Sequence, residues 1–241
     1  MSSPLLLSAQ VGFVVTTLIY IRLLLQEFRF GIQQTSRSEE KKKSLYRNIV
    51  IALIGWAAFT GIWSLSGIFG NFSLFPFNAV PILLIPLIVV MWLTFSKTGV
   101  EITRFITPAR LVRLQSFRIL VELLLWALLL AHVVPIQMTF EGRNFDILVG
   151  LTAPVVAYLV VRNKIARTIL IVWNVLGLAL LINIVATAIL SMPVPFRIFM
   201  NEPANTIVTT FPVSLLPSFL VPMAYFLHFL SLRQLLTGKN T

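Results

Sequence analysis

Arg118 and Glu122 stand four residues apart in the run QSFRILVELLLWALLLAHVVPIQMTFEGRNFD, from Gln115 to Asp146. On a helix that spacing puts both side chains on one face. Glu122 is set among Leu and Val, and a carboxylate in hydrocarbon has to be paired, protonated or wetted. Those three states are the chemistry of proton relays, ion pathways and sites for small polar ligands. A plainer account is an ion pair that anchors a helix end at the headgroups, with Arg118 reaching outward. The count of about one turn from the start of the apolar segment to Glu122 favours it. Asn174 and His228 lie at similar counted depth in two other apolar segments. Arg118, Glu122, Asn174 and His228 are therefore candidates for one inner layer that carries a ligand or a proton.

A second set gathers toward the opposite side: His132, Gln137, Glu141, Arg143 and Asp146 around one connection, and Arg197, Glu202 and Asn205 in another. Glu141 with Arg143, and Arg197 with Glu202, have the signs for two ion pairs between these loops. Exposed pairs of this kind are common and weak, so tying the loops together is favoured over binding a ligand.

His132 and His228 are the two histidines, and they fall near opposite ends of their segments, too far apart to share a metal. With no cysteine there is no thiolate ligand, disulfide or thiol nucleophile. No metal site and no cofactor are expected. G-x-S-x-G, H-E-x-x-H and P-loop patterns are absent, and no lysine falls within an apolar segment to carry a Schiff base. Enzymatic activity is left open by the sequence and weighed against.

The elements that must position these residues are apolar and long. The 241 residues are 58% hydrophobic and 11% charged, against about 25% charged in a globular chain. Mean hydropathy is +0.93. A membrane span needs roughly 20 mainly apolar residues, and seven segments qualify: about Pro4–Leu25, Asn48–Phe69, Ala79–Phe95, Ile119–Val134, Ile147–Val161, Thr168–Leu190 and Phe211–Leu232. Ser3 and Pro4 read as the N-cap and first turn of the first segment, and the basic n-region of a signal peptide is missing. The run SRSEEKKKS reads as a mobile polar connection. Thr107 and Pro108 open a basic amphipathic stretch that either lies in the interface ahead of the fourth segment or is a solvated loop. Ala57 with Gly61, and Ser66 with Gly70, have the small-xxx-small spacing of close helix packing.

Seventeen of the 19 Lys and Arg fall in, or within a turn of, the odd-numbered connections and the C-terminal tail. By the positive-inside rule those are cytoplasmic, so the N-terminus is outside and the C-terminus inside. The expected fold is an all-α polytopic bundle of seven transmembrane helices in a single domain over residues 1–241. The expected location is a cell or inner membrane, with anionic headgroups as partners of the cytoplasmic basic residues. The net charge of +11 is thereby accounted for without nucleic acid.

One periodicity crosses the chain. At a constant offset, Pro76, Pro81 and Pro86 align with Pro212, Pro217 and Pro222, and Lys97 aligns with Arg233. Coincidence and two parallel three-helix repeats around a linking fourth helix both account for this. In size and topology such an arrangement resembles the seven-helix sugar carriers called SWEETs. Those carriers and their PQ-loop relatives place motif prolines, often as Pro-Gln, in the first helix of each triplet. The present chain has no Pro-Gln dipeptide, so no binding residue is carried over. The functional expectation is a carrier or binding protein for a small polar molecule, its pathway lined by the fourth, sixth and seventh segments. The alternatives are a receptor or structural subunit acting through a protein partner or a second copy, and a membrane-embedded enzyme.

Overall fold

The computed structural model describes residues 4–237, which places Ser3, Gly238 and Lys239 outside the described residues. Within them the chain is helical, with no strand. Nine α-helices follow in order: α1 (Pro4–Gln33), α2 (Glu39–Leu65), α3 (Val80–Phe95), α4 (Lys97–Thr103), α5 (Pro108–Leu114), α6 (Phe117–Leu130), α7 (Asp146–Val161), α8 (Arg167–Leu190) and α9 (Val221–Thr237). A single π-helical turn, Leu216–Leu220, leads into α9.

Each of the seven expected apolar segments is helical, but four helices are long and apolar enough to cross a membrane: α1, α2, α8, and α9 with its π turn. The third segment is a pair, α3 and α4, bent by 70° at Ser96. At 1.5 Å per residue, the 14 residues of α6 and 16 of α7 rise about 21 and 24 Å, short of a hydrocarbon core of about 30 Å.

The last helix is the hub. In the apolar 18-residue stretch of Leu216–Thr237, 61% of the residues are buried, against 22% in that of α1, 11% in that of α2 and 28% in that of α8. It packs against α3, α5 and α8, while α1 packs along α6 and α5 along α7. Proline explains the π turn. Pro222 has no N–H to give to the carbonyl four residues back, and that carbonyl, Ser218 O, instead accepts from Trp56 Nε1 of α2 at 2.9 Å. Arg233 near the other end donates to Thr94 O of α3 at 2.6 Å and to Thr103 Oγ1 of α4 at 2.5 Å, which holds the α3–α4 bend against the hub.

Three local expectations are corrected. The run SRSEEKKKS is not a free loop: Ser38 is the N-cap of α2, and Glu39 and Glu40 occupy its first turn, where the helix dipole favours negative charge. The stretch after Thr107 is not a solvated loop. It is α5, whose Ala109, Leu111, Val112 and Leu114 are buried against α7 and α9. Gly61 faces open space, so the Ala57–Gly61 spacing packs no other helix of this chain.

Candidate functional site

The site is built by a chain reversal. Helix α6 ends at Leu130, and His132 takes φ 57 as the residue just past the end. Its N–H reaches Leu129 O at 2.8 Å while Val133 N–H reaches Leu128 O at 3.1 Å, the paired bonds of a Schellman stop. His132 thus closes a helix and is exposed, apart from any cluster. The chain then turns back into the bundle. Gly142 packs so tightly that a Cβ would stand 2.4 Å from Ile136 O and 2.6 Å from Gln137 Cα. That fold delivers Asn144 and Asp146 to α6.

Asn144 is 1% exposed and Asp146 is 6% exposed. Asn144 Nδ2 donates to Glu122 Oε1 and, at 3.1 Å, to Met138 O. Its Oδ1 accepts from Asp146 N–H, at the start of α7, at 3.2 Å. Arg118 Nε lies 3.6 Å from Asp146 Oδ2, an ion-pair contact without a hydrogen bond. All three Arg118 nitrogens, Glu122 Oε2 and Asp146 Oδ1 are buried without a hydrogen-bond partner in the chain. The approach of α7 to α6 depends on Gly150, one turn beyond Asp146, where a Cβ would meet Ile119 N at 2.8 Å.

A cavity of about 70 Å³ adjoins this cluster. Glu122, Asn144 and Asp146 are its charged and amide side chains, and Leu83, Val185 and Pro217 are among its apolar walls. It has room for a few waters and is well below the roughly 300–1,000 Å³ of a drug-sized ligand site.

The expected inner layer therefore divides. His228 and Asn174, both fully buried, form a pair of their own, with Nδ1 2.9 Å from Asn174 Oδ1. Asn174 Nδ2 donates to Leu170 O at 2.8 Å, so its oxygen is the acceptor and the imidazole carries its proton on Nδ1. The ring leans on Trp173 at 5.5 Å and occupies the space left by Gly177, where a Cβ would stand 2.5 Å from Cε1. His228 lines neither of the cavities beside Glu122. Counting depth from segment ends also separated groups that meet: Asn144 and Asp146, expected on the outer side, sit beside Glu122, because the chain turns back into the bundle before α7. Arg118–Glu122 is no exposed anchor: the two are 2% and 1% exposed.

The remaining outer candidates hold the cap together. Gln137 donates to Ser191 Oγ at 3.0 Å, and Asn205 to Ala188 O at 3.1 Å. Of the two expected inter-loop ion pairs neither forms between the loops. Arg197 bonds Glu202 within its own loop at 3.0 Å, and Glu141 accepts from Trp126 Nε1 at 2.6 Å. The loops meet instead through Arg143 stacked 5.1 Å over Phe199. Asn144 was the residue missed as chemistry, its signal being a short amide side chain between two glycines, Gly142 and Gly150, that permit close approach. Among the described residues no group of three His, Cys, Asp or Glu is placed to hold a metal ion.

Residues 74–236 match a protein family described as a domain of unknown function, DUF8737. The matched stretch contains α3 through nearly all of α9, and with them every residue of the Arg118 cluster. No curated protein and no solved structure matches the chain.

Proposed function

The chain belongs to the DUF8737 family, and we propose that it is an integral-membrane carrier or binding protein for a small polar molecule, taken up beside Glu122. The observation that carries this reading is the buried Arg118–Glu122–Asn144–Asp146 cluster on the wall of an otherwise apolar cavity. Ionisable groups inside a membrane bundle mark substrate and ion pathways. The walls draw on α6, α8 and the start of α9, the three segments the sequence points to, with α3 added through Leu83.

The proposed topology is seven crossings of a cell or inner membrane, with the N-terminus outside and the C-terminus in the cytoplasm, where basic residues meet anionic headgroups. In the fourth crossing α5 continues α6 through the turn at Gln115–Ser116; in the fifth, the buried loop before Asp146 supplies the outer half. Two parallel repeats are part of this proposal. Support comes from the proline helices α3 and α9, which pack side by side in the same direction: Leu83 and Pro217 share the cavity wall, and Thr94 bonds Arg233.

The test uses the absence of native cysteine. Ala188→Cys, on the cavity wall, should react with a small water-soluble thiol reagent from one face of the membrane. Ser73→Cys, exposed in a loop, is the control for reagent access. A reactive control with an inert position 188 would overturn the carrier reading. It would favour the second one, a subunit or receptor working through a partner, which the small cavity volume supports.

A further inference from the structure

Two carboxyl groups share one buried arginine. Asp146 faces Arg118 at 3.6 Å, and Glu122 lies one turn along the same helix, held by Asn144. A second cavity of about 20 Å³ opens among Arg118, Glu122 and Asp146, large enough for one water. Its other walls include Phe117, Leu181 and Leu220, all apolar.

The surrounding elements add little charge. On the far side of α6, α1 packs Ala9, Gly12 and Phe13, and Tyr20 against Phe117, so its one ionisable group there is a phenol. Helix α8 presents Leu181. Helix α9 contributes Tyr225, which interacts electrostatically with Asp146 and Arg118, and His228, which interacts with Arg118. With both phenols and the imidazole neutral, the fully ionised cluster counts one positive and two negative charges. An uncompensated ion in an apolar interior costs several kcal/mol, and one proton removes it.

We propose that Glu122 and Asp146 together form a one-proton site: a single proton, taken from water, makes an O–H bond at one carboxylate oxygen and leaves the other carboxylate to balance Arg118. This deepens the carrier reading by naming the proton as the ion the site takes. It rests on that reading only for coupling to transport, since the proton itself is observable without any substrate.

The test is infrared spectroscopy of the full chain in phospholipid vesicles at neutral pH, in H₂O and in D₂O. The unaltered protein should show the C=O stretch of one protonated carboxyl, shifted down by deuteration. Both Glu122→Gln and Asp146→Asn should lose it. Either change removes one negative charge, and the remaining carboxylate is then balanced by Arg118 with no proton. Absence of the band from the unaltered protein would overturn the proposal and needs no variant to fold. Persistence of the band in either folded variant would also overturn it, because the carboxyl would then be neutral through burial alone, whatever the charge count. A protein that keeps the band in this pattern yet has an inert cysteine at position 188 keeps the proton site and loses the carrier reading.

Discussion

Replacing Asn144 by alanine should detach the loop between α6 and α7 from the bundle. The side chain makes three hydrogen bonds, to Glu122 Oε1, Met138 O and Asp146 N–H. Buried interhelical bonds in membrane proteins average about 0.6 kcal/mol and protein hydrogen bonds generally about 1 kcal/mol, which sums to about 2–3 kcal/mol. Glu122 and Met138 are also left facing an apolar cavity with an acceptor unmet, a penalty of about 1 kcal/mol or more. The expected loss is about 3–4 kcal/mol, read from unfolding of the purified protein in mixed micelles. A second readout locates the damage. Thr139 is fully buried within the same loop, so Thr139→Cys should resist a thiol reagent in the otherwise unaltered chain and react at least tenfold faster when Asn144→Ala is added. A variant that unfolds within about 0.5 kcal/mol of the parent, with the thiol at position 139 still protected, would refute the claim that Asn144 fastens the loop.

Gly177→Ala should force His228 off Asn174, since the added Cβ would lie 2.5 and 2.6 Å from the imidazole. The expected cost is about 1–3 kcal/mol, smaller when His228→Asn shortens the opposing side chain, and a double-mutant cycle measures the difference. For orientation, single cysteines at Ser73 and Glu141 should react with an impermeant reagent outside intact cells, and one at Ser38 should not; all three positions are exposed. Reaction at Ser38 would reverse the topology. Asn144 and Asn205, although they belong to connections expected outside, are 1% and 0% exposed and would stay silent on either side.

Hydropathy and charge alone determined much of this molecule. Long apolar runs imply helices that satisfy their own backbone in lipid, and all seven predicted segments are helical. Helix ends were legible where their chemistry is local, as with Thr107 and Pro108 opening α5. Depth was not legible. Counting residues from a segment's end assumes a straight crossing, and the assumption fails where the chain doubles back. Between His132 and Asp146 it re-enters the bundle, so residues 22 positions apart, Glu122 and Asn144, become hydrogen-bond partners. Neither Arg118 nor Glu122 carries a mark of which carboxylate or amide will reach it. That was decided by packing: Gly142 letting the loop fold on itself, Gly150 letting α7 close on α6, and Val221 and Ala224 of α9 walling the cavity beside both. The same holds for His228, whose partner Asn174 is 54 residues away and whose space exists because residue 177 has no side chain. Local sequence sets which segments leave water. Only tertiary contact between them settles which polar groups share a buried site, because the cost of burying each one depends on the partner it finds.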